Sequence, residues 1–401
     1  MLKQVEGSIA VAEAIALCKP DVVCAYPITP QTHIVEGLAD MVRKGKIANN
    51  CQYINVESEF AALSVCIGSS ATGVRSYTAT SSQGLLYMAE AVYNAAGMRL
   101  PIVMTIGNRA IGGPINIWND QSDSMALRDA GWIQIHAETN QEAGDLHIQA
   151  FKIAEQLSIP VMVCVDGFLL THAYEQVEAS TQEQVDEFLP PFKPMQALDC
   201  DDPMSIGAMV GPEAFMEVRA LNVAHFDNAL EPIQEISEEF EKIFGRKAGG
   251  LFEHYHSEEA DTVVVSLGSV NGTVKDIIDE YRKEFVSIGS FKIGCYRPFP
   301  GKQILEQLKH AKRIIVVEKD YFAGVGGCLA NDMKIAFRGS DAKIYSVIGG
   351  LGGRPIFKKS LMKILDRAME DELEELSFID LDRTLVEREQ VREDQFMSNA
   401  G

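Results

Sequence analysis

Four short stretches set chemically versatile side chains beside turn-forming residues. In YPITPQT, Tyr26 to Thr32, two prolines stiffen a turn and hold Thr29 between them, so its hydroxyl and the neighbouring amides can face a ligand. The same turn can equally be a strand-to-helix junction with Thr32 as the cap. In VESEF, Glu57 and Glu59 stand where a β-prone run ends and the apolar AALSV begins. A carboxylate there is partly desolvated and can share a proton with a ring nitrogen, or it can simply stabilise a helix N-terminus. TATSSQG, Thr78 to Gly84, is small and hydroxyl-rich, which lets backbone approach a flat ligand but also suits an ordinary turn. Arg109 is the sole arginine between Gly107 and Gln121, directly after a β-prone run. Its planar fork suits a small carboxylate, and an ion pair with Asp120 or Asp123 is the competing use.

Other motifs point away from particular chemistries. EKDYFAGVGG (Glu318 to Gly327) and GGLGGRPI (Gly349 to Ile356) do not follow GxGxxG in a strand–helix context, which leaves them as close-packing turns at an interface. None of the eight cysteines is spaced as CxxC, so neither a ferredoxin-type cluster nor a zinc knuckle is expected. Cys18, Cys24, Cys66 and Cys164 lie in apolar runs and read as small core residues. His254 and His256 form no HExxH, and no metal-ligating set is expected in this chain.

These residues need a scaffold that lines up strand ends. DVVCAY, CQYINV, GVRSYTAT, PIVMTIG, WIQIHA and IPVMVCVD are nearly continuous apolar runs separated by helix-period segments, the pattern of a parallel sheet covered on both faces. A second alternation runs through DTVVVSLGS, VSIGSFKIGCY, RIIVVEKD and AKIYSVIG. The prediction is an α/β protein of two doubly wound domains, residues 1–175 and 259–376, joined by a connector over 176–258 that contains an acidic helix. A mobile charged tail, 377–401, follows. Ligands in such sheets bind beyond the carboxyl ends of strands, where the four stretches fall.

Composition narrows the function. There are 57 acidic against 36 basic residues, a formal charge of -21, which repels phosphate backbones and anionic headgroups and argues against a nucleic-acid or membrane-surface role. With no apolar stretch of about 18 residues and no signal-peptide layout at MLKQVEGSIA, a cytoplasmic protein without a membrane span is expected.

Taken in order, YPITPQTHIVE, NVESEFAALSVCIGSSATGVRSYTATSSQGLLYMAE, LPIVMTIGNRA, NDQSDSMALRDAGWIQ, VDGFLLTH, FLPPFKP, YRPFP, EKDYFAGVGG and GLGGRPI closely resemble the α subunit of multi-subunit pyruvate-type 2-oxoacid:acceptor (ferredoxin) oxidoreductases. The resemblance implies a thiamine diphosphate enzyme whose first domain is the pyrimidine-binding fold and whose second is transketolase C-terminal-like. It assigns Glu59 to the pyrimidine nitrogen, Thr29 to substrate and cofactor, Arg109 to the 2-oxoacid carboxylate, and Ser81, Ser82 and Gln83 to the cofactor cleft. Glu57 is the less favoured acid, since the family pattern puts the functional one directly after Ser58.

The magnesium–diphosphate motif is absent, because the lone Asp166–Gly167 lacks a preceding glycine. The resemblance therefore implies a partner β subunit carrying the diphosphate, Mg and [4Fe-4S] clusters, with γ and ferredoxin-like δ subunits and CoA as co-substrate. None of those metal centres is expected in this chain alone. Pyruvate is the first-choice substrate. The loop Gly112 to Trp118 leaves room for an aryl 2-oxoacid such as phenylglyoxylate, and a transketolase-like enzyme or a noncatalytic scaffolding subunit are the competing functions.

Overall fold

The computed structural model describes residues 2–47 and 50–400; Met1, Ala48, Asn49 and Gly401 lie outside it. Its strands are β1 (Leu2–Glu6), β2 (Val22–Ala25), β3 (Gln52–Asn55), β4 (Ser76–Thr80), β5 (Ile102–Asn108), β6 (Ile133–His136), β7 (Val161–Asp166) and β8 (Tyr174–Glu178) in the first half. The second half adds β9 (Phe252–Tyr255), β10 (Thr262–Ser266), β11 (Ile288–Ile293), β12 (Cys295–Arg297), β13 (Arg313–Glu318), β14 (Lys343–Ile348) and β15 (Leu376–Phe378). A seven-stranded sheet has the order β12-β6-β7-β5-β4-β2-β3 and a six-stranded sheet the order β15-β14-β13-β10-β11-β9. Each is parallel except for an antiparallel edge strand, β12 or β9, and β1 pairs antiparallel with β8. The central strand β5 is buried along its whole length, which is why it reads as nearly continuous apolar sequence.

Helices cover both faces of each sheet. On the first, Val11, Ile15, Phe151, Phe188 and Phe240 pack on one side, and Leu63, Leu85 and Trp132 on the other. The run VSIGSFKIGCY, readable as one strand, is two: it leaves the second sheet at Ile293 and joins the first at Cys295. Gly294 makes this crossing possible, since a Cβ there would stand 2.8 Å from the Gly250 carbonyl oxygen. At the same junction Lys292 is buried among Glu138, Glu142 and Glu253 at 2.9–3.2 Å.

The segment 176–258 is more structured than a plain connector. Thr181 opens the helix Gln182–Phe188 with a capping box, and two helices, Phe215–Asp227 and Leu230–Phe244, occupy the stretch expected to hold one. The second is amphipathic and buries Ile233, Ile236, Phe240 and Phe244, while the first buries nothing. The second sheet draws β9 from this segment and β15 from the border of the charged tail, which is helical over Arg383–Ala400. Seven cysteines are free and buried and Cys200 is free and exposed. No helix among the described residues is long and apolar enough to cross a membrane.

Candidate active site

Strands β5, β4, β2 and β3 are consecutive neighbours, so the loops leaving their carboxyl ends lie side by side. Those loops carry Arg109, Ser81 to Gln83, Thr29 and Glu59.

Glu59 is the first residue of the helix Glu59–Ala71, with Ser58 accepting the Ala61 amide at 3.2 Å as its cap. It is 9% exposed, whereas Glu57 is exposed, so the two acids of VESEF part company. The Glu59 carboxyl lies against Gly84, where a Cβ would stand 2.7 Å from Oε1 and 2.6 Å from the Thr80 hydroxyl. That hydroxyl is buried without a partner, and Glu59 has no hydrogen-bond partner among the described residues.

Arg109 follows β5 directly and is 7% exposed. Its Nε donates to the Asn116 carbonyl at 2.9 Å and its Nη1 to the Thr29 carbonyl at 3.0 Å. The guanidinium thus ties its own loop to the Tyr26–Thr32 turn. Burial lowers its proton affinity, with Asp123 opposing that shift. The ion pair with Asp120 or Asp123 does not form. Asp120 accepts from the Ser122 amide and hydroxyl and from the Gly352 amide, and Asp123 takes the backbone amide of Arg109 rather than its guanidinium. Thr29 itself is exposed, and Gln31 rather than Thr32 occupies the cap position of the helix Thr32–Arg43.

Asp123 organises the site from beneath. Its Oδ2 accepts the Ser82 amide at 2.9 Å and the Arg109 amide at 3.0 Å, while Oδ1 accepts Asn108 Nδ2 and the Ser124 amide, both at 2.8 Å. Burial pushes its carboxyl up to about 7 against those bonds. From the sequence Asp123 is only an ion-pair candidate, because nothing local indicates that it faces two strand ends at once. Ser82, at φ +50°, hydrogen-bonds the Ala110 carbonyl, and Ser81 Oγ would be 2.9 Å from a Cβ at Gly107. The Gln83 amide would be 2.0 Å from a Cβ at Gly112. Glycines at 84, 107 and 112 are therefore close-approach positions that join the loops.

The second domain braces this face. The Gln121 amide donates to the Lys319 carbonyl at 2.8 Å and Asn116 Nδ2 to the Gly352 carbonyl at 3.2 Å. Lys319 Nζ reaches Asp166 at 2.7 Å and Asn119 at 3.1 Å, all buried. Burial alone would raise the Asp166 carboxyl, but Lys319 and Ser269 bring it down to about 2. EKDYFAGVGG and GGLGGRPI are thus contact turns against the Arg109 loop.

The sequence profile described as pyruvate flavodoxin/ferredoxin oxidoreductase, thiamine diphosphate-binding, matches residues 13–238, and pyruvate:ferredoxin oxidoreductase core domain II matches 260–361. The pyruvate synthase subunit PorA of Methanosarcina barkeri is 46% identical over 90% of this chain and 91% of its own, and that of Methanocaldococcus jannaschii is 48% identical over 88% and 92%. The ketoisovalerate oxidoreductase subunit VorA of Pyrococcus abyssi is 42% identical over 88% and 89%. Among solved structures, 2-oxoglutarate:ferredoxin oxidoreductase from Magnetococcus marinus, with 2-oxoglutarate, coenzyme A and succinyl-CoA bound, shares the fold with a TM-score of 0.69 at 20% identity. That match covers 92% of this chain and 65% of the solved chain, so this chain spans about two thirds of its length.

Proposed function

The chain belongs to the pyruvate flavodoxin/ferredoxin oxidoreductase family, and from that premise we propose that it is the α subunit of a thiamine diphosphate-dependent 2-oxoacid oxidoreductase. Its reaction is the oxidative decarboxylation of pyruvate to an acyl-CoA, with electrons passing to [4Fe-4S] clusters in partner subunits. The observation that carries this reading is the state of Arg109, a buried guanidinium with no carboxylate partner among the described residues, held at a strand end by two carbonyl oxygens. A buried cation without a counter-ion is costly unless a ligand supplies one, and a 2-oxoacid carboxylate does.

The residues suit the pyrimidine end of the cofactor. Glu59 and the Thr80 hydroxyl lack partners, and Gly84 keeps open the space a Cβ would fill. Bound there, thiamine diphosphate supplies the carbanion chemistry of decarboxylation. Glu59 holds a proton at the pyrimidine nitrogen. Arg109 orients the carboxylate with its remaining N–H groups. Thr29 lies against substrate and cofactor, Ser81, Ser82 and Gln83 line the cleft, and Asp123 positions Ser82 and Arg109 through their amides. A small substrate is supported by Gln83, whose amide fills the space beside Gly112, although Gly113 is open.

In this reading the division into 1–175, 176–258, 259–376 and 377–401 separates a pyrimidine-binding domain, a connector, a supporting domain and a tail. A β subunit contributes the diphosphate–Mg site and the clusters, and γ and ferredoxin-like δ subunits complete a cytoplasmic complex. Exposed Tyr26, Phe60, Tyr87, Ile115 and Trp118 on or beside the site loops support such a cover. The test is CoA-dependent reduction of a low-potential dye by the reconstituted complex with pyruvate, 2-oxobutyrate, branched 2-oxoacids, 2-oxoglutarate and phenylglyoxylate. The expected result is pyruvate as best substrate; no CoA-dependent reduction with any of them would overturn the proposal.

A further inference from the structure

Three residues from separate segments meet on the flank of the first domain, just outside the site. Glu6 ends β1, His33 lies in the first turn of the helix Thr32–Arg43, and His172 lies between β7 and β8. One donor atom from each is within 4.8 Å of the other two. His33 Nδ1 is 2.6 Å from Glu6 Oε1, and the two imidazole rings face each other with centroids 4.8 Å apart. We propose that Glu6, His33 and His172 bind a divalent cation of the zinc class.

The donor set selects the metal. Two imidazoles and one carboxylate suit a borderline transition-metal ion with a fourth position left to water, whereas calcium and magnesium take oxygen ligands. The outer contacts are those of a ligating histidine. His172 Nδ1 is 2.8 Å from the Thr171 hydroxyl, an arrangement that fixes the ring and leaves Nε2 to ligate. Phe168 also packs on the His172 ring, with centroids 4.7 Å apart. Tetrahedral zinc bonds of about 2.0–2.2 Å set ligand atoms about 3.4 Å apart, so binding would open the 2.6 Å His33–Glu6 contact and draw in the atoms that stand wider than that within the 4.8 Å cluster. The half-exposed His33 side chain has the freedom to move in.

The position gives the cation a structural consequence. Gly167, a few residues before His172, packs against Pro30, to which a Cβ would stand at 2.6 Å, and its amide donates to the Asn108 carbonyl at 3.1 Å. The cation would therefore clamp the segment that touches both the Thr29–Pro30 turn and the strand end bearing Arg109. It acts as a positioning group and touches no substrate. This last consequence rests on the function proposed above; the binding does not.

The experiment uses the full chain, stripped by chelation and titrated with Zn²⁺ by calorimetry and with Co²⁺ by visible absorbance. One cation per chain is expected, with the absorption bands of a tetrahedral nitrogen–oxygen site. His33→Ala, His172→Ala and Glu6→Gln should each weaken binding by more than about tenfold, the lower end of what outer contacts alone are worth. His254→Ala, which leaves all three ligands in place, should not change it. His33→Ala removes a half-exposed ring and keeps the fold, as circular dichroism can verify. No stoichiometric binding, or binding unchanged in the His33→Ala/His172→Ala double variant, would overturn the proposal. Neither readout depends on turnover, so failure here is distinguishable from failure of the proposed activity.

Discussion

At the carboxyl edge of the first sheet Glu59 has no hydrogen-bond partner and Arg109 no carboxylate among the described residues, whereas at the matching edge of the second sheet the acids are taken up by their own chain. Glu318 Oε2 accepts the Leu329 and Ala330 amides at 2.9 and 3.2 Å, and its Oε1 the Ser346 hydroxyl at 2.8 Å. Asp320 Oδ1 accepts the Cys328 amide at 2.9 Å, while its Oδ2 is buried without a partner. Burial pushes both carboxyls above their ordinary values, Asp320 adding to the shift at Glu318. Doubly wound sheets offer a ligand edge by construction. The difference teaches that such an edge stays open to a ligand where the following helix leaves its polar groups unclaimed; in the second domain three of the four carboxyl oxygens of Glu318 and Asp320 are taken up, two of them by amides of the helix Cys328–Ala336, and the edge becomes a brace.

The sharpest way to break this contrast is to remove one carboxyl from each edge. Glu59→Gln should lower turnover of the assembled complex by about 10²–10⁴-fold with a smaller change in KM, because an amide cannot exchange a proton with the pyrimidine. Glu318→Gln should leave kcat nearly unchanged. Comparable losses for both variants, or activity retained in Glu59→Gln and abolished in Glu57→Gln, would dissolve the distinction.

Next in size is the brace itself. Lys319→Met leaves Asp166 buried without its cation, and loss of one partner of a buried pair costs about 3–5 kcal/mol. Urea unfolding should show that loss, together with a raised KM as the Gln121 end of the Arg109 loop loosens. A loss of no more than about 1 kcal/mol, what an exposed surface pair is worth, would show that the second domain is a bystander.

Arg109 follows. Arg109→Ala should weaken transition-state binding by about 2–5 kcal/mol, the range for a buried charge pair. Arg109→Lys should restore part of KM but not kcat, since a point charge attracts the carboxylate without fixing its plane. Unchanged kinetics in both variants would make Arg109 a loop staple between Thr29 and Asn116.

The smallest expected effect is in pH. The folded Asp166 carboxyl, at about 2, lies below its unfolded value, so the stability it contributes is present above about pH 4 and lost as pH falls toward 2. Glu318 is raised instead, so its contribution is full below about pH 4 and declines as pH rises. Melting temperatures of wild type and Glu318→Gln should therefore diverge with rising pH, the wild type losing more. Parallel curves from pH 5 to 8, a window of about the ordinary buffer range spanning that decline, would contradict the buried-acid assignment.

Much of this was legible before any coordinates. The apolar runs that end at Ala25, Asn55, Thr80 and Asn108 announce parallel strands because strands covered on both faces have no polar alternation to hide them. The turn residues after them mark the loops for which we propose a ligand. What stayed hidden was contact across long sequence separation: Asp123 beneath Ser82 and Arg109, Lys319 against Asp166, and Glu6 with the two histidines. The charges nearest in sequence suggested an ion pair for Arg109, and the carbonyl oxygens of Thr29 and Asn116 took that place.

Local sequence by itself determines that the chain is α/β, that the site loops follow β2, β3, β4 and β5, and which residue types stand there, because strand burial and turn chemistry act over a few residues at a time. Only the tertiary structure decides which of those polar groups are spent and which remain free. A hydrogen bond or ion pair is assigned to whichever partner the folded backbone brings within about 3 Å; the fold gives the Glu59 carboxyl no hydrogen-bond partner among the described residues, and it gives the Arg109 guanidinium two carbonyl oxygens while Asp123 takes only the Arg109 amide.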